Sequence, residues 1–113
     1  MLKIYHNTRC SKSREACSII TETGEKMQIV DYLKSPLKED EMKDLLTKLG
    51  MKAEQIIRKK EPLFKEKFEG KKRTEAQWIK ILCAHPILME RPILVKGNKA
   101  VVGRPIENIY KLL

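Results

Sequence analysis

Cys10 is the residue with the sharpest chemistry in the chain. It lies in the polar segment His6-Asn7-Thr8-Arg9-Cys10-Ser11, between a short apolar run and a helical pattern. Unpaired amides and the dipole at a helix start favour an anion. Arg9 and Lys12 flank the cysteine, Arg14 is near, and His6 lies upstream in the same loop. Each can favour thiolate over thiol, and the thiolate is the nucleophile. Cys10 is therefore expected to have a lowered pKa and to attack an electrophile, with Ser11 and Ser13 offering hydroxyl donors to a bound oxyanion.

The spacing is Cys-x-x-Ser (Cys10, Ser13), so the next turn carries no resolving thiol. Cys17 follows two helical turns later, roughly 10 Å along the axis, too far for a disulfide without unwinding. Cys17 is expected in the core, and so is Cys83, beside Leu82 on an apolar helix. The three cysteines and two histidines have no metal-ligand spacing, so no metal is expected. His85, before Pro86, reads as a helix-end or packing residue. Trp78 reads as core or partly exposed, and 39–41, all acidic, as a helix start.

These side chains need elements to hold them. Leu2, Ile4 and Tyr5 suggest a strand. Ala16, Ile19 and Ile20 recur at helical spacing, predicting a helix over 11–23 with Gly24 as its C-cap. Met27, Ile29 and Val30 make a second strand, completing a β-α-β unit of the parallel type. After Ser35-Pro36, Met42, Leu45, Leu46 and Leu49 form an apolar stripe ending at Gly50. A short helix is expected over 53–57. Residues 59–73 are basic and low in apolar content, with Leu63, Phe64 and Phe68 as tethers. Thr74 is a plausible N-cap for a helix ending before His85-Pro86. Arg91-Pro92 opens a strand, Gly97-Asn98 turns it, and 100–102 return as an antiparallel hairpin. A last helix is expected with Pro105 at its first position and Ile106, Ile109, Tyr110 and Leu113 apolar.

The order is β-α-β, a helical block, then β-β-α, which gives an α/β layer architecture with four strands. A β-loop-α cysteine followed by a later X-Pro opening a hairpin looks like the thioredoxin fold. At 113 residues, 42% hydrophobic and 35% charged, the chain is expected to be a single domain, 1–113, with a helical insertion at about 34–84. An odd cysteine count and no signal-peptide or membrane-spanning run point to a cytoplasmic protein. The net charge of +9 favours anionic partners. Residues 58–73 hold eight positive and three negative side chains.

Four segments together carry a resemblance: Tyr5-His6-Asn7-x-x-Cys10-x-x-Ser13-Arg14, Ile57-Arg58-Lys59, His85-Pro86-Ile87-Leu88-x-x-Arg91-Pro92-Ile93, and Gly103-Arg104-Pro105. They resemble the glutaredoxin-dependent arsenate reductase family over residues 4–109. The resemblance implies a thioredoxin-like fold with a four-stranded mixed sheet. It implies that Cys10 is the nucleophile, that His6 helps keep it ionised, and that Arg58, Arg91 and Arg104 hold the oxyanion. It also implies a cis bond at Arg91-Pro92. Thr8-Arg9 departs from the Pro-Ala often found before the cysteine, and adds a cation.

The implied activity is reduction of arsenate to arsenite. Cys10 attacks arsenic and displaces water or hydroxide, glutathione attacks the adduct as co-substrate, and glutaredoxin reduces the mixed species. No bound cofactor is implied. Arginine forks suit such an oxyanion because they bind its oxygens bidentately. The alternative within the superfamily is an Spx-like transcriptional regulator that binds RNA polymerase without turning over arsenate. Ser13 argues against the Cys-x-x-Cys switch common there. Direct nucleic-acid binding is disfavoured, since the basic stretch lacks helix-turn-helix spacing. An ordinary glutaredoxin is disfavoured by Arg91, where a small or β-branched residue would suit backbone pairing with glutathione.

Overall fold

The computed structural model describes residues 2–7 and 10–113. The chain falls into two compact units. One comprises Met1–Ser35 and Arg91–Leu113, the other Pro36–Glu90.

The first unit is built on a four-stranded sheet, in the order β2-β1-β3-β4. β1 (Leu2–His6) runs parallel to β2 (Met27–Asp31), with Leu2 opposite Met27 and His6 opposite Asp31. β3 (Ile93–Lys96) runs antiparallel to β1, with Tyr5 opposite Ile93. β4 (Lys99–Val102) completes the hairpin, with Ile93 opposite Val102. The sheet is therefore mixed, as expected. Its register gathers three chain segments at one end: the exit of β1 towards Cys10, the entry to β3 after Arg91-Pro92, and the exit of β4 into Gly103-Arg104.

α1 (Ser11–Thr23) has the expected bounds and stops at Gly24, whose φ of 76° is the left-handed conformation that glycine adopts without strain. Its Ala16 and Ile20 bury themselves with Leu2, Ile4, Leu94, Ile109 and Leu112 in one core cluster. Each fully buried leucine or isoleucine of this cluster contributes about 1.5–3 kcal/mol.

The last segment differs from expectation. It is a 3₁₀ helix, Ile106–Lys111, and Pro105 sits at its N-cap rather than as its first helical residue. With three residues per turn, side chains three apart line up. Ile106, Ile109 and Leu112 therefore face the core, while Tyr110 and Leu113 are exposed.

In the second unit, α2 (Glu39–Leu49) buries Met42, Leu45 and Leu46 and ends at Gly50. Its first turn is acidic, as suits the dipole. A 3₁₀ turn, Ala53–Ile56, replaces the short helix expected there. α3 (Pro62–Lys67) is a helix inside the basic stretch where none was expected. It starts with Pro62 and is anchored by buried Phe64. α4 (Glu75–Ala84) begins at a capping box, in which Thr74 Oγ1 accepts from Gln77 N and Gln77 Oε1 accepts from Thr74 N. The unit extends to Glu90, past the expected 84, because the chain beyond α4 folds back on it. Pro86–Leu88 forms a 3₁₀ turn, Met89 bridges Ile57, and Glu90 N donates to Ile56 O at 2.8 Å. Among the described residues no helix is long and apolar enough to cross a membrane.

Candidate active site around Cys10

Cys10 is the N-cap of α1 and nearly buried, at 7% exposure. Its N–H donates to Asn7 O at 2.9 Å, and its carbonyl accepts from Arg14 N at 3.1 Å. Burial pushes the thiol up. Hydrogen bonds outweigh that effect, from the Ser13 N–H and hydroxyl, then the Lys12 N–H, then the Arg104 guanidinium, and hold Cys10 below the ordinary thiol value. This is the lowered pKa expected from the sequence, but its sources differ. Lys12 acts through its backbone amide while its ammonium pairs with Glu15 at 3.5 Å. Arg9 lies outside the described residues.

Ser13 is fully buried behind the sulfur, and its Oγ also accepts the Asn7 N–H at 3.4 Å. Ser11 is exposed on the first turn of α1. Asn7, quoted in the motif without a role, is a buried brace for the loop. Its backbone ties both Cys10 and Ser13, and its type, common in such turns, was the available signal.

Arg104 reaches the cysteine across 94 residues of chain. Its Nη2 lies 3.3 Å from Cys10 Sγ, and its Nε donates to the Arg91 carbonyl at 2.7 Å. Gly103 N donates to Pro92 O at 2.8 Å, so the two Arg-Pro segments are joined twice. Both Arg91-Pro92 and Arg104-Pro105 are cis. Gly103 has a steric reason to be glycine, since a Cβ there would meet Pro92 Cγ at 2.8 Å. Asn108 braces the same turn, its Nδ2 donating to Val102 O at 3.0 Å and Arg104 O at 3.3 Å. Neither Gly103 nor Asn108 carried a positioning role in the sequence reading.

His6 is buried at the end of β1, with Nδ1 3.7 Å from Cys17 Sγ. Burial lowers its pKa, Asp31 works against this, and Arg14 adds to it. The ring is consequently neutral near pH 7. Cys17 is half-buried and packs against the core cluster, Cys83 is half-buried, and burial raises both thiols, with Glu39 and Glu41 adding to the effect at Cys83. Arg58 belongs to the second unit. Its Nη1 pairs with Glu61 at 2.7 Å and its N–H donates to Leu88 O at 2.7 Å. Among the described residues no cluster of His, Cys, Asp and Glu could hold a metal ion.

The chain matches the ArsC family over residues 5–112. It belongs to the ArsC family. Within it, an arsenate reductase of Neisseria meningitidis is 41% identical over 114 residues, covering 99% of this chain and 97% of that protein. An arsenate reductase of Escherichia coli K12 is 32% identical, covering 99% of this chain and 80% of that protein. The solved structure of an arsenate reductase from Vibrio cholerae superposes with a TM-score of 0.94 at 35% identity, over 99% of this chain and 97% of that one. The ArsC fold is thioredoxin-like, and the mixed four-stranded sheet described above is that fold.

Proposed function

We propose that this protein is an arsenate reductase in which the Cys10 thiolate attacks an arginine-bound arsenate. The observation that carries the reading is the pairing of Cys10 Sγ with Arg104 Nη2 at 3.3 Å. It sets a cation where an anionic nucleophile must meet an anionic electrophile. The names of the relatives supply the substrate class.

In the first step the sulfur bonds to arsenic(V) and hydroxide or water leaves. Ser13 and the helix amides hold the thiolate until it attacks. Arg91 and Arg104, with Arg104 tethered to the Arg91 carbonyl, bind the oxygens as charge builds on them. Arg58 completes the oxyanion set on the strength of the resemblance. Reduction to arsenic(III) takes two electrons, which two thiols supply. Glutathione attacks, its sulfur and Cys10 end as a mixed disulfide, and arsenite leaves. Glutaredoxin then reduces the disulfide and frees Cys10.

A coupled assay with arsenate, glutathione, glutaredoxin and NADPH tests this. Arsenate-dependent NADPH oxidation is expected, and none with Cys10→Ser. No turnover, combined with capture of RNA polymerase, would replace the enzyme with the regulator. Against the regulator stands Ser13, buried on the sulfur where a switch would need its second cysteine.

A further inference from the structure

Arg58 enters the chemistry above as one of three arginines, and the fold supplies it with a carboxylate. Arg58 Nη1 donates to Glu61 Oε1 at 2.7 Å. Exposed ion pairs contribute little, because two long side chains must be held in one geometry against water. This pair is different. The Arg58 side chain is 22% exposed and that of Glu61 18%. Lys59, between them in sequence, pairs instead with Glu54 at 2.7 Å, and those two side chains are about half exposed.

The backbone is fixed at both ends of the pair. Glu61 N donates to Arg58 O at 3.1 Å, closing a tight turn over 58–61. Arg58 N donates to Leu88 O at 2.7 Å, and the preceding Ile57 bridges Met89. Glu61 comes before Pro62, a position that favours extended backbone, and its φ and ψ are −63° and 137°. Its carbonyl accepts from Phe64 N and Lys65 N at 3.0 and 3.2 Å, which ties it to the first turn of α3. Its side chain makes no cap hydrogen bond, so the carboxylate is not needed to start that helix.

A guanidinium carries five donors in a rigid fork. A carboxylate on Nη1 sets the plane of the group and leaves the Nε–Nη2 edge, a pair of donors that an oxyanion takes bidentately. Resting on the reading of Arg58 as an oxyanion ligand, we propose that Glu61 is the positioning residue for Arg58. It holds the guanidinium in the orientation that receives the oxyanion, so that Arg58 acts as a directed donor rather than as a loose cation.

Sulfate, a tetrahedral dianion that Cys10 does not reduce, is the probe, titrated into the full protein and followed by NMR. Glu61→Gln keeps an acceptor oxygen at the same reach. Glu61→Leu keeps similar bulk and has no acceptor. Both lose the charge, so their comparison isolates the hydrogen bond to Arg58. Glu61→Leu should bind sulfate about tenfold less tightly than Glu61→Gln, the effect of one charge-assisted hydrogen bond. Glu61→Ala, too small to overfill the site, should lose affinity by the same factor. In the Arg58→Ala background these differences should vanish, whereas a purely structural role of Glu61 would leave them in place. Equal affinity of Glu61→Gln and either of the other two variants would overturn the positioning role, and so would a difference that survives Arg58→Ala. Arg58 would then keep its own role. Sulfate affinity unchanged by Arg58→Ala alone would overturn the oxyanion role of Arg58, and the positioning role with it.

Discussion

Arg104 Nη2 lies 3.3 Å from Cys10 Sγ, while the same guanidinium holds the Arg91 carbonyl through Nε. One side chain thus touches the nucleophile and fixes the segment that carries a second arginine. Removing it should raise the thiol pKa and weaken oxyanion binding together. Arg104→Ala is expected to lower arsenate kcat/KM on the order of 100-fold, as loss of one oxyanion donor does. Arg91→Ala should weaken sulfate or arsenate binding while leaving the titration of Cys10 largely in place. Steady-state kinetics beside a labelling profile separate the two, and equal effects of both variants on the thiol would contradict this division.

Cys10 should react with iodoacetamide with a midpoint below the ordinary thiol value of 9.0. Ser13→Ala should move the midpoint up further than Arg104→Ala, since the Ser13 hydroxyl outweighs the guanidinium in lowering it. The folded protein binds this proton less tightly than the unfolded chain does. The resulting stabilisation is full above the unfolded pKa and is lost as pH falls through the folded one. Urea midpoints of wild type and Cys10→Ser measured from pH 10 downward should converge.

His6 behaves the same way in a lower range. Its folded pKa lies below 6.5, so the unfolded chain takes up the proton first. Its contribution is complete above 6.5 and declines as pH falls towards the folded value. His6→Gln should flatten the loss of stability between pH 7 and 5, read by urea denaturation. An unchanged slope would mean that other groups carry it.

Gly103→Ala tests the joint between the two Arg-Pro segments. The backbone conformation is not left-handed, so any cost comes from the added methyl against Pro92. Overpacking of this kind costs about 1–3 kcal/mol. Activity should fall along with stability, because the displaced segments carry Arg91 and Arg104. Full turnover in a stable Gly103→Ala protein would show that the joint is not needed.

Cys17→Ser and Cys83→Ser should keep most of the arsenate turnover that Cys10→Ser abolishes. Both thiols have raised pKa values and so little thiolate at neutral pH. A dead Cys83→Ser enzyme would put a protein thiol in place of glutathione as the second electron source.

The amino-acid sequence alone determined what depends on near neighbours. The bounds of α1, the parallel β1-β2 pair, the Gly97-Asn98 hairpin and Cys10 at a helix start all follow from periodicity and turn residues within a few positions. α3 was hidden because one buried ring, Phe64, supports six residues in a strongly basic run. Its stability comes from Trp78 and Phe68 packing against that ring, which no local pattern displays. The last segment was misread for the same reason, since 3.0 and 3.6 residues per turn diverge only once Leu112 rather than Leu113 finds the core.

The long-range contacts of the active site belonged to tertiary structure alone. The Lys12 ammonium, close to Cys10 in sequence, turns to Glu15, and a guanidinium reaches the sulfur from Arg104. His6, upstream of Cys10 in the same motif, has its Nδ1 3.7 Å from Cys17 Sγ. Sheet register decides this. Pairing Tyr5 with Ile93 and Ile93 with Val102 brings the ends of three strands together. Residues distant along the chain then share one hydrogen-bonding volume, a relation that spacing along a sequence does not encode.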